Sequence, residues 1–300
     1  MLAAMTEPTE SRRQRAARRA GEFPPVPEPL PQPVIDSHTH LDITVAETAV
    51  APWADRAGDP VAAAVAVAAE VGVDRLVQVG VDVESSRWGA ELARRQPAVL
   101  ATVALHPNEA PRLADLDEAL RQIEALAGQE RVRGVGETGM DFFRTGDEGR
   151  AAQEASFRAH IAIAKRYGKP LVIHDRDAHA DVLRILDDEG APETVVLHCF
   201  SGDAEFATEC VRRGYVLSFA GTVSFGNAGN LREAARVTPL DQILVETDAP
   251  YLTPMPHRGR PNASYLIPLT VRSLAETTGA DLAELCAAIS ATGDRVFGPW

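Results

Sequence analysis

Short runs of Val, Ile and Leu alternate along the chain with longer amphipathic stretches. The runs show little polar alternation, which is typical of parallel strands buried on both faces. Strands are predicted at Val34–His38, Arg75–Val79, Leu100–Val103, Val132–Glu137, Leu171–His174, Thr194–His198, Tyr215–Phe219 and Ile243–Glu246.

Helical periodicity fills the intervals between these strands. Helices are predicted at Pro60–Val71, Glu84–Arg95, Asp115–Ala127, Glu148–Tyr167, Ala178–Asp188, Ala204–Arg213, Ala228–Val237, Ser264–Thr278 and Asp281–Ser290. Eight strand–helix units in succession favour a closed (β/α)8 TIM barrel over an open doubly wound sheet. We therefore predict an α/β protein with a single barrel domain over residues 34–300.

Residues 1–33 have a different composition. Residues 11–20 hold five arginines, and residues 24–33 hold six prolines. No apolar segment follows the arginines, so a secretory signal is not indicated. The favoured interpretation is a disordered, partly polyproline tail, and the alternative is an arm that contacts nucleic acid or a protein partner.

Polar side chains cluster where the predicted strands end. Two histidines one residue apart, His38 and His40, end the first strand, and in an extended strand they point to the same side. Of the eight histidines, five lie at or just past strand ends: His38, His40, His106, His174 and His198. In a barrel the carboxyl ends of the strands form the active face. Each histidine alone could be a surface or core residue, but together they indicate a metal site.

Two carboxylates strengthen this interpretation. Glu137 and Asp248 follow apolar strands, where an unpaired carboxylate is costly unless a cation or an arginine neutralises it. Six candidate ligands exceed the needs of one ion, so two divalent cations (Mg, Mn or Zn) are predicted. One is assigned to His38, His40, Glu137 and Asp248, and the other to Glu137, His174 and His198. Asp248 is the predicted general base, and Glu137 the bridging carboxylate.

Composition limits the kinds of molecule that the chain is expected to bind. The formal net charge is -13, which repels long nucleic acids and anionic membranes unless local cations intervene. The three cysteines form no CxxC pair, which favours a reducing, cytoplasmic compartment. No uninterrupted apolar run reaches the roughly 18 residues of a membrane span. We expect a monomer or weak oligomer that does not bind membranes.

Seven sequence blocks occur in a familiar order: DSHTHLD at 36–42, LHPNE at 105–109, GETGMDF at 136–142, IHDRDA at 173–178, HCFSG at 198–202, ETDAPYL at 246–252 and HRGRPN at 257–262. The chain from about residue 34 onward thereby resembles the TatD-type metal-dependent deoxyribonucleases of the amidohydrolase-like superfamily. The resemblance implies a (β/α)8 barrel, a divalent metal centre on the same six residues, and phosphodiester hydrolysis. Ser264 and Met140 depart from residues common in that family.

Substrate contacts are predicted at Arg176, Arg258 and Arg260, because arginine binds phosphate in a bidentate fork, with His106 as a further donor. A surface ion pair is the alternative for each arginine. Phe142 and Phe143 could stack on a base, although core packing is the favoured interpretation.

Three functions remain open at this point. The first is a metal-dependent deoxyribonuclease, acting as an exonuclease on single-stranded DNA ends or short oligonucleotides. The second is a metal-dependent esterase or amidohydrolase, for instance an aminoacyl-tRNA deacylase. The third is a non-catalytic partner protein with a vestigial metal site.

Overall fold

Eight strands follow one another in chain order, and each is hydrogen-bonded in parallel to the next. The computed structural model describes residues 22–46 and 51–300. The strands are β1 (Val34–Thr39), β2 (Val73–Val79), β3 (Val99–Val103), β4 (Val132–Asp141), β5 (Leu171–Arg176), β6 (Val195–Leu197), β7 (Val216–Phe219) and β8 (Ile243–Val245).

The sheet closes on itself between β1 and the chain that leaves β8. The backbone N–H of Asp248 donates to the carbonyl of His38 at 2.9 Å, and that of His40 donates to the carbonyl of Ala249 at 3.0 Å. The Ser37 hydroxyl also donates to the Val245 carbonyl at 3.0 Å. The predicted (β/α)8 TIM barrel is therefore confirmed.

Helices alternate with the strands and cover the outside of the barrel. They are α1 (Leu41–Thr44), α2 (Pro60–Glu70), α3 (Val83–Arg95), α4 (Leu116–Ala127), α5 (Asp147–Tyr167), α6 (His179–Glu189), α7 (Ala204–Arg212), α8 (Gly229–Val237), α9 (Ile267–Thr278) and α10 (Leu282–Phe297). Aspartates fix the N-terminal ends of several helices, because their carboxylates accept hydrogen bonds from free backbone N–H groups of the first turn. Examples are Asp82, Asp115 and Asp203.

Strand β4 and helix α10 extend furthest beyond their predicted ends. Strand β4 continues to Asp141 because Gly139 pairs with His174 of β5, and any Cβ at Gly139 would lie 2.2 Å from the His174 carbonyl. Helix α10 continues past Ser290 because Gly293 lets the helix approach β1, where an added Cβ would lie 2.8 Å from Ile35. Both glycines thus allow two elements to pack closely where a side chain would clash, and neither ends its element.

Part of the predicted tail packs on the barrel. Phe23 and Leu30 are buried, and the Phe23 ring meets Trp53 edge-on at 5.2 Å between centroids. The Tyr265 hydroxyl donates to the Pro24 carbonyl at 2.6 Å, and Arg272 donates to the Pro29 carbonyl at 2.9 Å. The structure therefore differs from the predicted boundary at residue 33, since a proline-rich composition hides anchoring contacts made through backbone carbonyls. The arginine-rich stretch 11–20 lies outside the described residues.

None of the helices described over residues 22–46 and 51–300 combines the length and the hydropathy needed to cross a bilayer.

Candidate metal centre

The carboxyl end of β1 brings two imidazoles to the mouth of the barrel. His40 Nε2 lies 3.2 Å from Asp248 Oδ1, and His38 Nε2 lies 3.7 Å from the same oxygen. Glu137 Oε2 lies 2.7 Å from His38 Nε2 and 3.9 Å from His40 Nε2. The predicted set His38, His40, Glu137 and Asp248 is therefore one cluster of nitrogen and oxygen donors, and these donors lie within 4.8 Å of one another.

The second predicted set adjoins the first, since the ring of His198 stacks on that of His38 with centroids 3.9 Å apart. His174 Nδ1 lies 3.7 Å from Glu137 Oε1, and His198 Nε2 lies 3.7 Å from Glu137 Oε2. The two imidazole nitrogens are 3.4 Å apart. Glu137 thus faces both pairs of histidines, as expected of a carboxylate shared between two ligand sets.

The hydrogen bonds fix which ring nitrogen of three histidines faces the centre. A carbonyl only accepts, so His40 Nδ1–H donates to Val79 O at 3.2 Å. His174 Nε2 pairs with Asp141 Oδ2 at 3.2 Å, and His198 Nδ1 pairs with Glu246 Oε1 at 3.1 Å. With the proton held on the outer nitrogen, the lone pair of the inner nitrogen points at the cluster. This is the arrangement in which imidazole binds a metal.

Buried polar atoms without hydrogen bonds support the same conclusion. Among the described residues, His38 Nδ1 is buried without a hydrogen-bond partner, and His38 Nε2 and Glu137 Oε2 have only each other at hydrogen-bond distance, 2.7 Å. Buried polar atoms with so few partners are costly unless something else binds them. A divalent cation accepts lone pairs from both, so the donor set fits a metal.

The protonation of the cluster reflects its excess negative charge. Burial would raise the pKa of Glu137, but the imidazoles of His106, His198 and His38 hold that pKa well below its usual range. Burial would likewise lower the pKa of His38, but Glu137 and other nearby carboxylates raise it to about 9. The field that draws a proton to His38 also favours a cation at this position.

Two carboxylates that support the ligands were not predicted. Glu246 is fully buried, pairs with His198 and accepts from the backbone N–H of Cys199 at 2.7 Å. Asp141 is also fully buried, pairs with His174 and accepts from the Asn108 amide at 2.8 Å. Both occur within the quoted motifs GETGMDF and ETDAPYL, so their acidic character was visible, but only the fold shows which histidine each one holds.

His106 was predicted to contact substrate, and the structure places its ring on Glu137. The Asn108 backbone N–H donates to His106 Nδ1 at 3.0 Å, so the ring proton lies on Nε2 and points to Glu137 Oε1 at 2.8 Å. Burial lowers the pKa of His106 to about 4, against the opposing effect of Glu137. This neutral imidazole is therefore placed to orient the shared carboxylate.

The three predicted arginines have different environments. The guanidinium of Arg176 stacks on Phe143 at 3.9 Å from the ring centroid, and that of Arg258 stacks on Phe225 at 4.3 Å. Arg176 is the last residue of β5, and Arg258 lies in the loop between β8 and α9. Arg260 instead donates to the backbone carbonyl of Glu22 at 2.8 Å and to its carboxylate. Arg260 thus holds the N-terminal segment, as in the alternative interpretation of this arginine as part of a surface ion pair.

A barrel that gathers imidazoles and carboxylates at its mouth is typical of metal-dependent hydrolases. The family model for "TatD related DNase" matches residues 35–298. The chain belongs to the TatD family.

Individual relatives agree with this assignment. The chain is 46% identical to an "Uncharacterized metal-dependent hydrolase TatD" of Mycobacterium tuberculosis, over 88% of this chain and 98% of that protein. It is 35% identical to the "3'-5' ssDNA/RNA exonuclease TatD" of Cronobacter sakazakii, over 78% and 90%.

Solved structures share the fold. The TatD homologue YJJV of Escherichia coli aligns with a TM-score of 0.79 at 26% identity, covering 89% of this chain and 98% of that one. A TatD family hydrolase of Entamoeba histolytica aligns at 0.77 with 16% identity, over 90% and 100%, which shows the fold alone.

Proposed function

We propose that the protein is a divalent-metal-dependent deoxyribonuclease that removes nucleotides from the ends of single-stranded DNA. The observation that carries the proposal is the central position of Glu137, whose carboxylate lies within 3.9 Å of five imidazoles. Two cations are proposed, one held by His38, His40, Glu137 and Asp248, the other by Glu137, His174 and His198. When bound, such cations polarise a phosphoryl oxygen and lower the pKa of water.

Asp248 is the proposed general base. Its side chain is 17% exposed, whereas that of Glu137 is 6% exposed, so Asp248 is the carboxylate with more access to incoming water. The His40 hydrogen bond and the neighbouring imidazoles lower the pKa of Asp248 against the effect of burial, which keeps it ionised. An ionised carboxylate that would bind a cation through one oxygen retains the other to take a proton.

The charge distribution supports a small footprint on the nucleic acid. The chain carries a net charge of -13, so a long duplex is repelled and binding depends on local cations at the mouth. Arg176, two residues past His174 on β5, and Arg258, in the loop after β8, are the proposed cations, and each guanidinium stacks on a phenylalanine ring. Relatives named as single-strand exonucleases provide further support for an oligonucleotide end as substrate.

The proposal is tested with an end-labelled single-stranded oligonucleotide. We expect shortening with Mg²⁺ or Mn²⁺, and loss of activity with chelator that is restored by added metal. Asp248→Asn should reduce the rate by about a hundredfold or more, the scale of general base catalysis. Glu84→Gln, which neutralises an exposed carboxylate on α3, is the matched control and should retain full activity.

Undiminished cleavage by Asp248→Asn would exclude this base. Turnover of carboxylic esters or aminoacyl-tRNA without any cleavage of DNA or RNA would favour the esterase alternative. Cleavage of RNA but not DNA would keep the chemistry and change the substrate.

A further inference from the structure

A large apolar ring is exposed at the mouth of the barrel. The Phe143 side chain is 63% exposed, the highest value among the exposed large hydrophobic residues of the described chain. Its neighbour Phe142 is half-buried against the core and has Arg150 over its ring. Core packing, the favoured interpretation for both rings, therefore holds for Phe142 and is wrong for Phe143. A single exposed ring is ordinary by itself, but Phe143 lies two residues past Asp141, the carboxylate that pairs with His174.

A guanidinium covers this ring from the neighbouring strand. The Arg176 guanidinium carbon lies 3.9 Å from the Phe143 centroid. In the part of the chain that the structure describes, no carboxylate forms a salt bridge with Arg176, whereas Arg158, Arg184 and Arg213 each pair with at least two. The positive charge of Arg176 is thus available to a partner from outside the chain.

Strand register places the pair next to the metal cluster. Arg176 pairs with Asp141, and His174 pairs with Gly139, on the adjacent strands β5 and β4. Residues two apart on a strand lie on the same side about 7 Å apart, so Arg176 follows His174 along one face. Phe143 lies two residues past Asp141, the carboxylate that holds His174. A phosphodiester at the cluster would bring its adjoining base to this pair.

We propose that Phe143 and Arg176 form a binding platform for the nucleobase beside the scissile phosphodiester, with the base on the aromatic face and the guanidinium near a phosphate. The proposal rests on the proposed nuclease function and assigns it a base-stacking subsite. Stacking on an aromatic ring is tolerant of base identity, because every base has a π-face. The platform favours strands with unpaired terminal bases, since a paired base is not free to stack.

The experiment compares two phosphorothioate-linked oligonucleotides that resist hydrolysis. They have equal length and charge, and one lacks the bases at its terminal positions. Kd is measured by fluorescence anisotropy with Mn²⁺ present. The wild type should bind the base-bearing strand about tenfold more tightly, on the scale of one stacked base. Phe143→Ala should abolish this preference, Phe143→Trp should restore it, and Tyr167→Ala, an exposed ring on α5, should keep it.

Equal binding of both strands by the wild type, or an unchanged preference in Phe143→Ala, would overturn the platform. Arg176→Gln should weaken both strands and flatten the salt dependence of binding, because the phosphate contact does not require the base. Cleavage of unmodified oligonucleotide is measured in parallel. A wild type that prefers base-bearing strands without cleaving any DNA would retain the platform and reject the nuclease.

Discussion

Oppositely charged side chains are in contact in two regions of this molecule, one exposed to water and one buried. On the outer helices Arg184 pairs with Glu154 and Asp181, and all three side chains are 32–45% exposed. At the mouth, His38 and Glu137 are 0% and 6% exposed. Water screens the outer pairs, so they contribute little to stability. The mouth has no such screening, and its groups require partners.

The two regions differ in the partners of their carboxylates. The outer carboxylates have direct arginine partners, whereas the carboxylates at the mouth are surrounded by imidazoles, which are neutral or positive according to their protonation. A cluster built from neutralisable partners is suited to exchanging a proton for a metal ion. Substitutions at the mouth should therefore have larger effects than substitutions on the outer helices.

The largest effect is expected for Glu137→Gln at the centre of the mouth. The change removes the shared negative charge while keeping the volume, so metal binding and catalysis should fail together. We expect a rate loss of about a thousandfold or more, which corresponds to about 4 kcal/mol. Elemental analysis of the purified variant should show at least one equivalent of metal fewer than wild type. Full metal content with full activity would contradict the assignment of Glu137 as a shared ligand.

A smaller effect is expected for Glu246→Gln, which removes the negative charge that is paired with the outer nitrogen of His198. The outer nitrogen of His198 then donates to a neutral amide oxygen, which weakens its inner nitrogen as a ligand. We expect metal affinity to fall by about ten- to a hundredfold. Competition with a fluorescent chelator measures this, and excess metal should restore much of the activity. Loss of activity that no metal concentration restores would point instead to misfolding.

A buried imidazole without a carboxylate gives a stability effect that depends on pH. His160 accepts from the Leu105 backbone N–H at 3.0 Å and is paired with the Ser156 carbonyl. Burial lowers the pKa of His160 to about 4 from 6.5. Between these values the unfolded chain binds the extra proton, so the stabilisation is complete above pH 6.5 and is lost as the pH falls towards 4.

Replacement of His160 by Gln should remove this contribution. Urea unfolding at a series of pH values should show a wild-type slope that exceeds that of the variant by up to about 1.4 kcal/mol per pH unit in this range. Parallel slopes for the two proteins would show that His160 does not titrate between its two states as described.

The smallest effect is expected on the outer helices. Arg184→Gln breaks exposed pairs with Glu154 and Asp181, and we expect Tm to fall by less than about 3 °C with unchanged activity. Differential scanning calorimetry at low and high salt checks both the size and the screening. A large fall in Tm that does not depend on salt would contradict the proposed difference between the two regions.

The sequence could predict the barrel because the strand runs are uniformly apolar and their ends are polar, as at His38 and Glu137. Other features needed three-dimensional information. The partnership of Glu246 with His198 spans 48 residues of sequence, and no local pattern encodes it. His106 could not be separated from substrate donors, because its role depends on a backbone N–H that fixes its proton. Phe142 and Phe143 have the same sequence signature and opposite environments.

The docking of Phe23 has a practical consequence for anyone shortening this chain. Residues 22–33 have the proline content of a dispensable linker, yet they cover Trp53 and Tyr265 through ring contacts and the Pro24 carbonyl. A truncation that starts at Val34 would expose these aromatic surfaces to water and free the guanidinium of Arg260 from its anchor. Such a protein should self-associate on concentration, so trimming for crystallisation should stop before Glu22.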